Sequence, residues 1–126
     1  MGIDALMAKK IGIVGSRRRN AQKDFDKVKE AFLQVYEAGD QIVSGGCPQG
    51  ADAFAERLAK MLQIPITIHY AQWNKLGKSA GFVRNGDIAR EADLLLACIA
   101  EDRTGGTEDT ITKFRNAHPE GVVVLL

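Results

Sequence analysis

With 126 residues, 45% of them apolar and 26% charged, the chain supports one globular domain, not two enzyme domains, and excludes a disordered or fibrous protein. No apolar run approaches the ~20 residues of a membrane span, and the opening stretch Met1 to Met7 is too short and lacks the basic start of a secretory signal, so the expected location is cytoplasmic. Seventeen basic against sixteen acidic side chains leave a net charge of +1, which speaks against a partner dominated by a long nucleic-acid backbone.

Residues 1–9 show no periodicity and read as a flexible leader, ahead of a single domain over 10–126. Lys10–Gly15 is a short Ile/Val run closed by glycine, a buried strand. Asp24–Ala38 places Phe25, Val28, Phe32, Val35 and Tyr36 on one helical face, and Gly39 is the expected left-handed stop. Gln41–Ser44 is the second strand. Ala51–Leu62 is a helix with Ala51, Phe54, Ala55, Leu58 and Leu62 inward. Pro65–His69 is the third strand and Ala80–Glu91 a weaker helix anchored by Val83 and Ile88. Asp93–Ile99 contains the unbroken apolar run Leu94 to Ile99, as expected of a strand buried on both faces in a parallel sheet. Thr107–Ala117 is the last helix, with Ile111 and Phe114 inward, and Gly121–Leu126 the last strand.

Strands separated by helices imply parallel pairing through right-handed crossovers. The expected fold is α/β: a three-layer, doubly wound, Rossmann-like five-stranded parallel sheet of order 3-2-1-4-5. Its ligand site belongs beyond the carboxyl ends of the strands, at the switch between the first and fourth. In this order Cys47 and Cys98 follow strands on either side of the first, ~9–10 Å apart at ~4.8 Å per strand, too far for a disulfide. With no C-x-x-C pair and isolated His69 and His118, no zinc spacing exists, and neither a metal nor a cofactor is expected. The apolar last strand leaves room for a homodimer.

The candidate site follows from the loops at those strand ends. Gly15-Ser16-Arg17-Arg18-Arg19-Asn20 follows the first strand, Ser44 to Asp52 the second, and Thr104-Gly105-Gly106-Thr107 the fourth. Glycine lets the backbone approach a ligand closely, and the helix starts behind the second and third loops offer free amides and a positive dipole end. A phosphate cradle at Gly45, Gly46 and Gly50 with Ala51, and at Gly105, Gly106 and Thr107, is therefore expected. The G-x-x-x-x-G spacing of Gly45 to Gly50 is not a P-loop, because Ala51-Asp52 stands where Lys-Ser/Thr is required. Gly12 to Gly15 is not G-x-G-x-x-G, so the usual dinucleotide fingerprint is missing. Arg17, beside its strand end, and Arg84, through its guanidinium fork, are candidate phosphate ligands, whereas Arg18 and Arg19 read as solvated. Trp73 is a candidate for stacking on a base, and Lys78 and Asn85 complete the basic stretch around it. Ser16 or Asp52 suits a sugar hydroxyl. Asp52, Glu108 and Asp109 sit in first helical turns, where capping alone favours acids, and are the candidate catalytic carboxylates.

Taken together, Ile42-Val43-Ser44-Gly45-Gly46 with Gly50-Ala51-Asp52, then Trp73, Gly77-Lys78, Ala80-Gly81-Phe82 and Arg84-Asn85, then Ala92-Asp93 and Gly105-Gly106-Thr107, resemble the YspA-like branch of the SLOG superfamily. That superfamily unites the Smf/DprA DNA-processing proteins with the LOG phosphoribohydrolases. The resemblance runs over about residues 10–126 and implies a Rossmann-like domain that binds a nucleotide or nucleotide-derived ligand, as a sensor or ligand-binding module. LOG enzymes carry P-G-G-x-G-T-x-x-E with a catalytic glutamate; counted from Thr107, that position here is Thr110. The resemblance also matches Arg84, in different flanks, to the LOG arginine. The alternatives are a LOG-like nucleotide N-glycosidase using Arg84 with Asp52, Glu108 or Asp109, and single-stranded nucleic-acid binding, which the +1 charge disfavours.

Overall fold

The computed structural model describes residues 8–126. The expected leader lies outside the described residues over 1–7. Lys9, at its end, is held firmly: its amide donates to Asp40 Oδ1 at 2.9 Å and its ammonium to Asp40 Oδ2 at 2.6 Å.

Five strands, β1 (Lys10–Gly15), β2 (Gln41–Ser44), β3 (Ile66–Ile68), β4 (Leu94–Cys98) and β5 (Val122–Leu125), form one sheet of order β3-β2-β1-β4-β5. Every pairing is parallel: Ile11 lies opposite Ile42 on one side and Leu94 on the other, and Leu96 opposite Val124. The helices are α1 (Gln22–Val35), α2 (Ala51–Leu62), the short α3 (Trp73–Leu76), α4 (Ala80–Glu91) and α5 (Gly106–Ala117). The α/β doubly wound architecture and the strand order agree with the sequence reading.

The period-two alternation of the strands divides the core. Ile11, Ile13, Ile42 and Leu96 pack with Phe25 and Phe32 of α1 and Phe54 and Leu58 of α2. Val14, Val43, Leu95 and Ala97 face the other way, onto Ile88 of α4 and Ile111 and Phe114 of α5. β4 is covered on both faces, which is why its sequence shows no polar alternation. Among the described residues, no helix is long and apolar enough to cross a membrane.

Leu62 and Val83, expected inward, are exposed, and three details of the elements also differ from the sequence reading. Helix α1 begins at Gln22, because Asp24 accepts the Ala21 amide at 3.1 Å and closes the first turn. It ends at Val35, three residues before Ala38, and Tyr36 is already extended. Asp40 draws the chain out of the helix by accepting the Glu37 amide at 2.9 Å as well as both groups of Lys9. Gly39 does take a positive φ of 95°, but in this turn and not as the helix cap. The third difference is the additional α3, followed by a 3-10 turn over Gly77–Ser79 that runs directly into α4.

Parallel pairing brings the carboxyl ends of all five strands to one edge. At that edge β1 continues into α1 on one face while β4 leads into α5 on the other, so a crevice opens between the loop after β1 and the start of α5. The Ser16 amide donates to the Cys98 carbonyl at 2.9 Å and joins its walls.

Candidate functional site

A cavity of about 290 Å³ occupies this crevice. Nine of the residues expected from sequence line it: Gly15, Ser16 and Arg17 after β1; Asp52 on α2; Arg84 and Asn85 on α4; and Gly105, Gly106 and Thr107 opening α5. Its other lining residues are Val14, Arg18, Cys47, Ile88, Thr104 and Thr110. Two of these were legible by helical spacing: Ile88 lies four residues beyond Arg84, and Thr110 three beyond Thr107, each on the same face as its partner.

One wall carries the start of α5 and two arginines. Gly105 holds φ +105°, a conformation open to glycine, with nothing within 4 Å of where a side chain would start. As at any helix start, the first amides of α5 have no partner within the helix. Arg17 faces solvent at the cavity with no ion pair among the described residues. Arg18 is not merely solvated. Its guanidinium makes a bidentate pair with Asp102 at 2.9 and 2.7 Å and reaches Thr104 Oγ1 at 3.1 Å, clasping the β1 loop to the loop before α5. This clasp holds the Asp102 carboxyl well below the usual carboxylate range. Arg19 turns away: it pairs with Asp24 at 3.1 Å and donates to the Ile99 and Leu126 carbonyls.

The opposite wall carries Asp52, the one carboxylate lining the cavity among the described residues. Its Oδ2 accepts the Cys47 amide at 3.1 Å. Burial pushes its pKa up, against the amides of Cys47 and Gly45 and the Arg84 cation, which favour the charged form. The Ser44 hydroxyl also helps, but only at longer range, since no partner lies within hydrogen-bonding distance of its buried Oγ. Above Asp52, Arg84 Nη1 donates to the Gly45 carbonyl at 2.7 Å and Nε to Asn85 Oδ1 at 3.1 Å.

The loop from Gly45 to Gly50 has a different role from the loop at Gly105. Its Cys47 amide is taken by Asp52 five residues on, so the protein's own carboxylate occupies the anion position that the spacing suggested for a phosphate. Gly45 does not line the cavity; a Cβ there would lie 2.9 Å from both Arg84 Nη1 and Asp52 Oδ2. Gly46 faces away, against the Tyr70 ring and Ile68. Gly50, at φ +72°, packs against the Ser16 carbonyl, and Gly15 against Ala51. These two contacts seat the start of α2 on the end of β1. Gly45, Gly46, Gly50 and Ala51 thus frame the cavity from behind.

Trp73 and Lys78 also lie off the cavity wall, and both are exposed. Of the remaining acids, Glu108 is bound bidentately by Arg103 at 2.9 Å. Asp109 accepts from Asn85 at 3.1 Å and from Lys113 at 2.8 Å. Neither lines the cavity. Thr110 does, with its hydroxyl donating to the Gly106 carbonyl at 3.2 Å. Cys47 and Cys98 are free thiols, and no group of three His, Cys, Asp or Glu side chains suited to a metal gathers among the described residues. No family model, curated protein or solved structure matches the chain.

Proposed function

We propose that the cavity binds a nucleotide or nucleotide-derived small molecule, its phosphate at the Gly105–Thr107 helix start and Arg17, its sugar at Asp52, and that the chain is a ligand-binding domain of the YspA-like SLOG type. The observation that carries this reading is the two-ended character of one cavity. The start of α5 and Arg17, which has no ion pair among the described residues, stand on one wall, and a single half-buried carboxylate, Asp52, on the other. A phosphate suits the first. A sugar hydroxyl suits the second, because the Asp52 carboxylate lines the cavity and can only accept. Arg84 also borders a groove of about 130 Å³ where Tyr70, Leu76 and Val83 stand beside Lys75 and Asp87, a mixed surface on which a base could rest.

The volume favours a small ligand, since about 290 Å³ stands at the lower end of the ~300–1,000 Å³ usual for ligand pockets. The near-neutral charge of +1 agrees with this more than with a polymer partner.

Hydrolysis of an N-glycosidic bond is favoured by one observation, the raised pKa of Asp52, as in carboxyls that serve as general acids. Against it, glycoside hydrolysis ordinarily uses two carboxylates. Here Glu108 and Asp109 are engaged elsewhere, and the place of the LOG glutamate is held by Thr110. Binding without cleavage is the reading we favour. Incubation with each ribonucleoside monophosphate tests it: a thermal shift with at least one and free base from none is expected. Release of base would make the protein a hydrolase, and no shift with any nucleotide would overturn the nucleotide reading.

A further inference from the structure

We infer that Asn85 is a positioning residue: it sets the separation of the two glycine loops across the cavity and makes no bond to the ligand itself. Asn85 lies at the cavity but is only 7% exposed. Both hydrogens of its amide and one lone pair of its carbonyl are used. Oδ1 accepts from Arg84 Nε at 3.1 Å, while Nδ2 donates to the Gly106 carbonyl at 3.2 Å and to Asp109 Oδ2 at 3.1 Å. An NH2 group has two hydrogens, and both are committed. The surroundings allow one orientation of the amide, because a cation faces one end and a carbonyl and a carboxylate face the other.

These bonds join two otherwise separate loops. Arg84 continues the chain to the Gly45 carbonyl at 2.7 Å, so an unbroken path runs from Gly45 through Arg84 and Asn85 to Gly106. Asp109 is itself fixed by Lys113 Nζ at 2.8 Å, and that ammonium also donates to the Phe82 carbonyl at 2.8 Å, tying α5 back to α4. Planar peptides transmit the constraint: holding the Gly106 carbonyl holds the Thr107 amide with it. No other side chain of this size offers one acceptor and two donors. Aspartate keeps the acceptor for Arg84 but brings a second carboxylate to Asp109, and alanine keeps neither.

The binding arm of the test rests on the nucleotide reading; the exchange arm does not. In the ligand-free protein, Asn85→Ala is expected to speed amide hydrogen exchange about tenfold at both Cys47, behind Gly45, and Thr110, one turn beyond Gly106. Exchange unchanged at either would overturn the inference. In the binding arm, adenosine monophosphate is titrated into wild type, N85A and N85D at about pH 8. The charged groups around position 85 are Arg84 on its own helix, Asp109 and Lys113 on α5, and Asp52 across the cavity. N85A is expected to bind about tenfold more weakly. N85D, which keeps the acceptor for Arg84 but loses both donors and faces Asp109 with a like charge, is expected to be at least as weak. Binding by N85D within about threefold of wild type would overturn the inference, and N85D, which keeps the side-chain shape, carries the test should N85A lose its fold. Wild type that fails to bind any nucleotide would sink the nucleotide reading and leave the exchange result to decide on Asn85.

Discussion

Replacing Asp52 with asparagine removes the charge from the buried wall of the cavity and keeps its shape and its acceptor for the Cys47 amide. Two effects of opposite sign follow. The first concerns stability. The native carboxyl has a pKa above the ordinary value of 3.8, chiefly through burial, so between that value and the raised one the folded protein binds more protons than the unfolded chain. Stability therefore falls as pH rises through this window. The Asp52→Asn variant should be more stable than wild type at about pH 7 and should lose that advantage below the unfolded carboxyl pKa of ~3.9. The second effect concerns the ligand. A hydrogen bond from a sugar hydroxyl to a carboxylate is worth ~1.5–3 kcal/mol, and to a neutral amide ~0.5–1.5 kcal/mol. At 1.4 kcal/mol per decade, wild type should prefer a ribonucleotide over its 2′-deoxy analogue by ~12- to 140-fold, and the variant by only ~2- to 12-fold. Calorimetric titration with adenosine monophosphate and its 2′-deoxy form reads the second effect, and urea unfolding at both pH values reads the first. An unchanged ribose preference in D52N would refute the placement of the sugar. Lower stability of D52N at neutral pH would refute the burial argument.

Further substitutions separate the parts of the site. Gly45→Ala, whose Cβ would meet Arg84 Nη1 and Asp52 Oδ2 at 2.9 Å, should displace both and weaken nucleotide binding ~10-fold or more, with the fold retained by circular dichroism. Asp102→Asn frees Arg18 from its clasp and should strengthen binding of inorganic phosphate at low salt, an effect that added salt removes. Because the Asp102 pKa is held below its unfolded value, the clasp should persist through mild acid and loosen only as pH falls through that depressed value. Phe114→Ala, at a fully buried position between α5 and the sheet, should cost ~3–5 kcal/mol in denaturant unfolding.

The sheet was legible because its signals are local. The unbroken run Leu94 to Ile99 announced a strand covered on both sides, and helices alternating with strands allowed few topologies. Glycine marked the cavity wall at three of its six expected positions. Gly15, Gly105 and Gly106 line the cavity because the chain there turns from strand into helix at the switch point. Gly45, Gly46 and Gly50 carry the same sequence signal for another reason. A positive φ of 76° at Gly46 and 72° at Gly50, and the close approach of Arg84, Tyr70 and Ser16, demand glycine whether or not a ligand is bound. Spacing cannot reveal that Tyr70, far along the chain, fills the space beside Gly46, or that Asp52 has taken the amide a phosphate would need. Arg18 was misjudged for a similar reason: its partner Asp102 is distant in sequence and adjacent only because β1 pairs with β4.

The central claim is that one small cavity at the β1/β4 switch receives a nucleotide with its phosphate on the first turn of α5. The most direct measurement is a titration of ¹⁵N-labelled protein with a set of ribonucleoside mono- and diphosphates, followed by amide NMR. With at least one of them, saturable shifts should concentrate at Ser16, Arg17, Gly105, Gly106 and Thr107, while Gly46 and Gly121 stay in place. Shifts confined to other surfaces, or none with any nucleotide of the set, would contradict it.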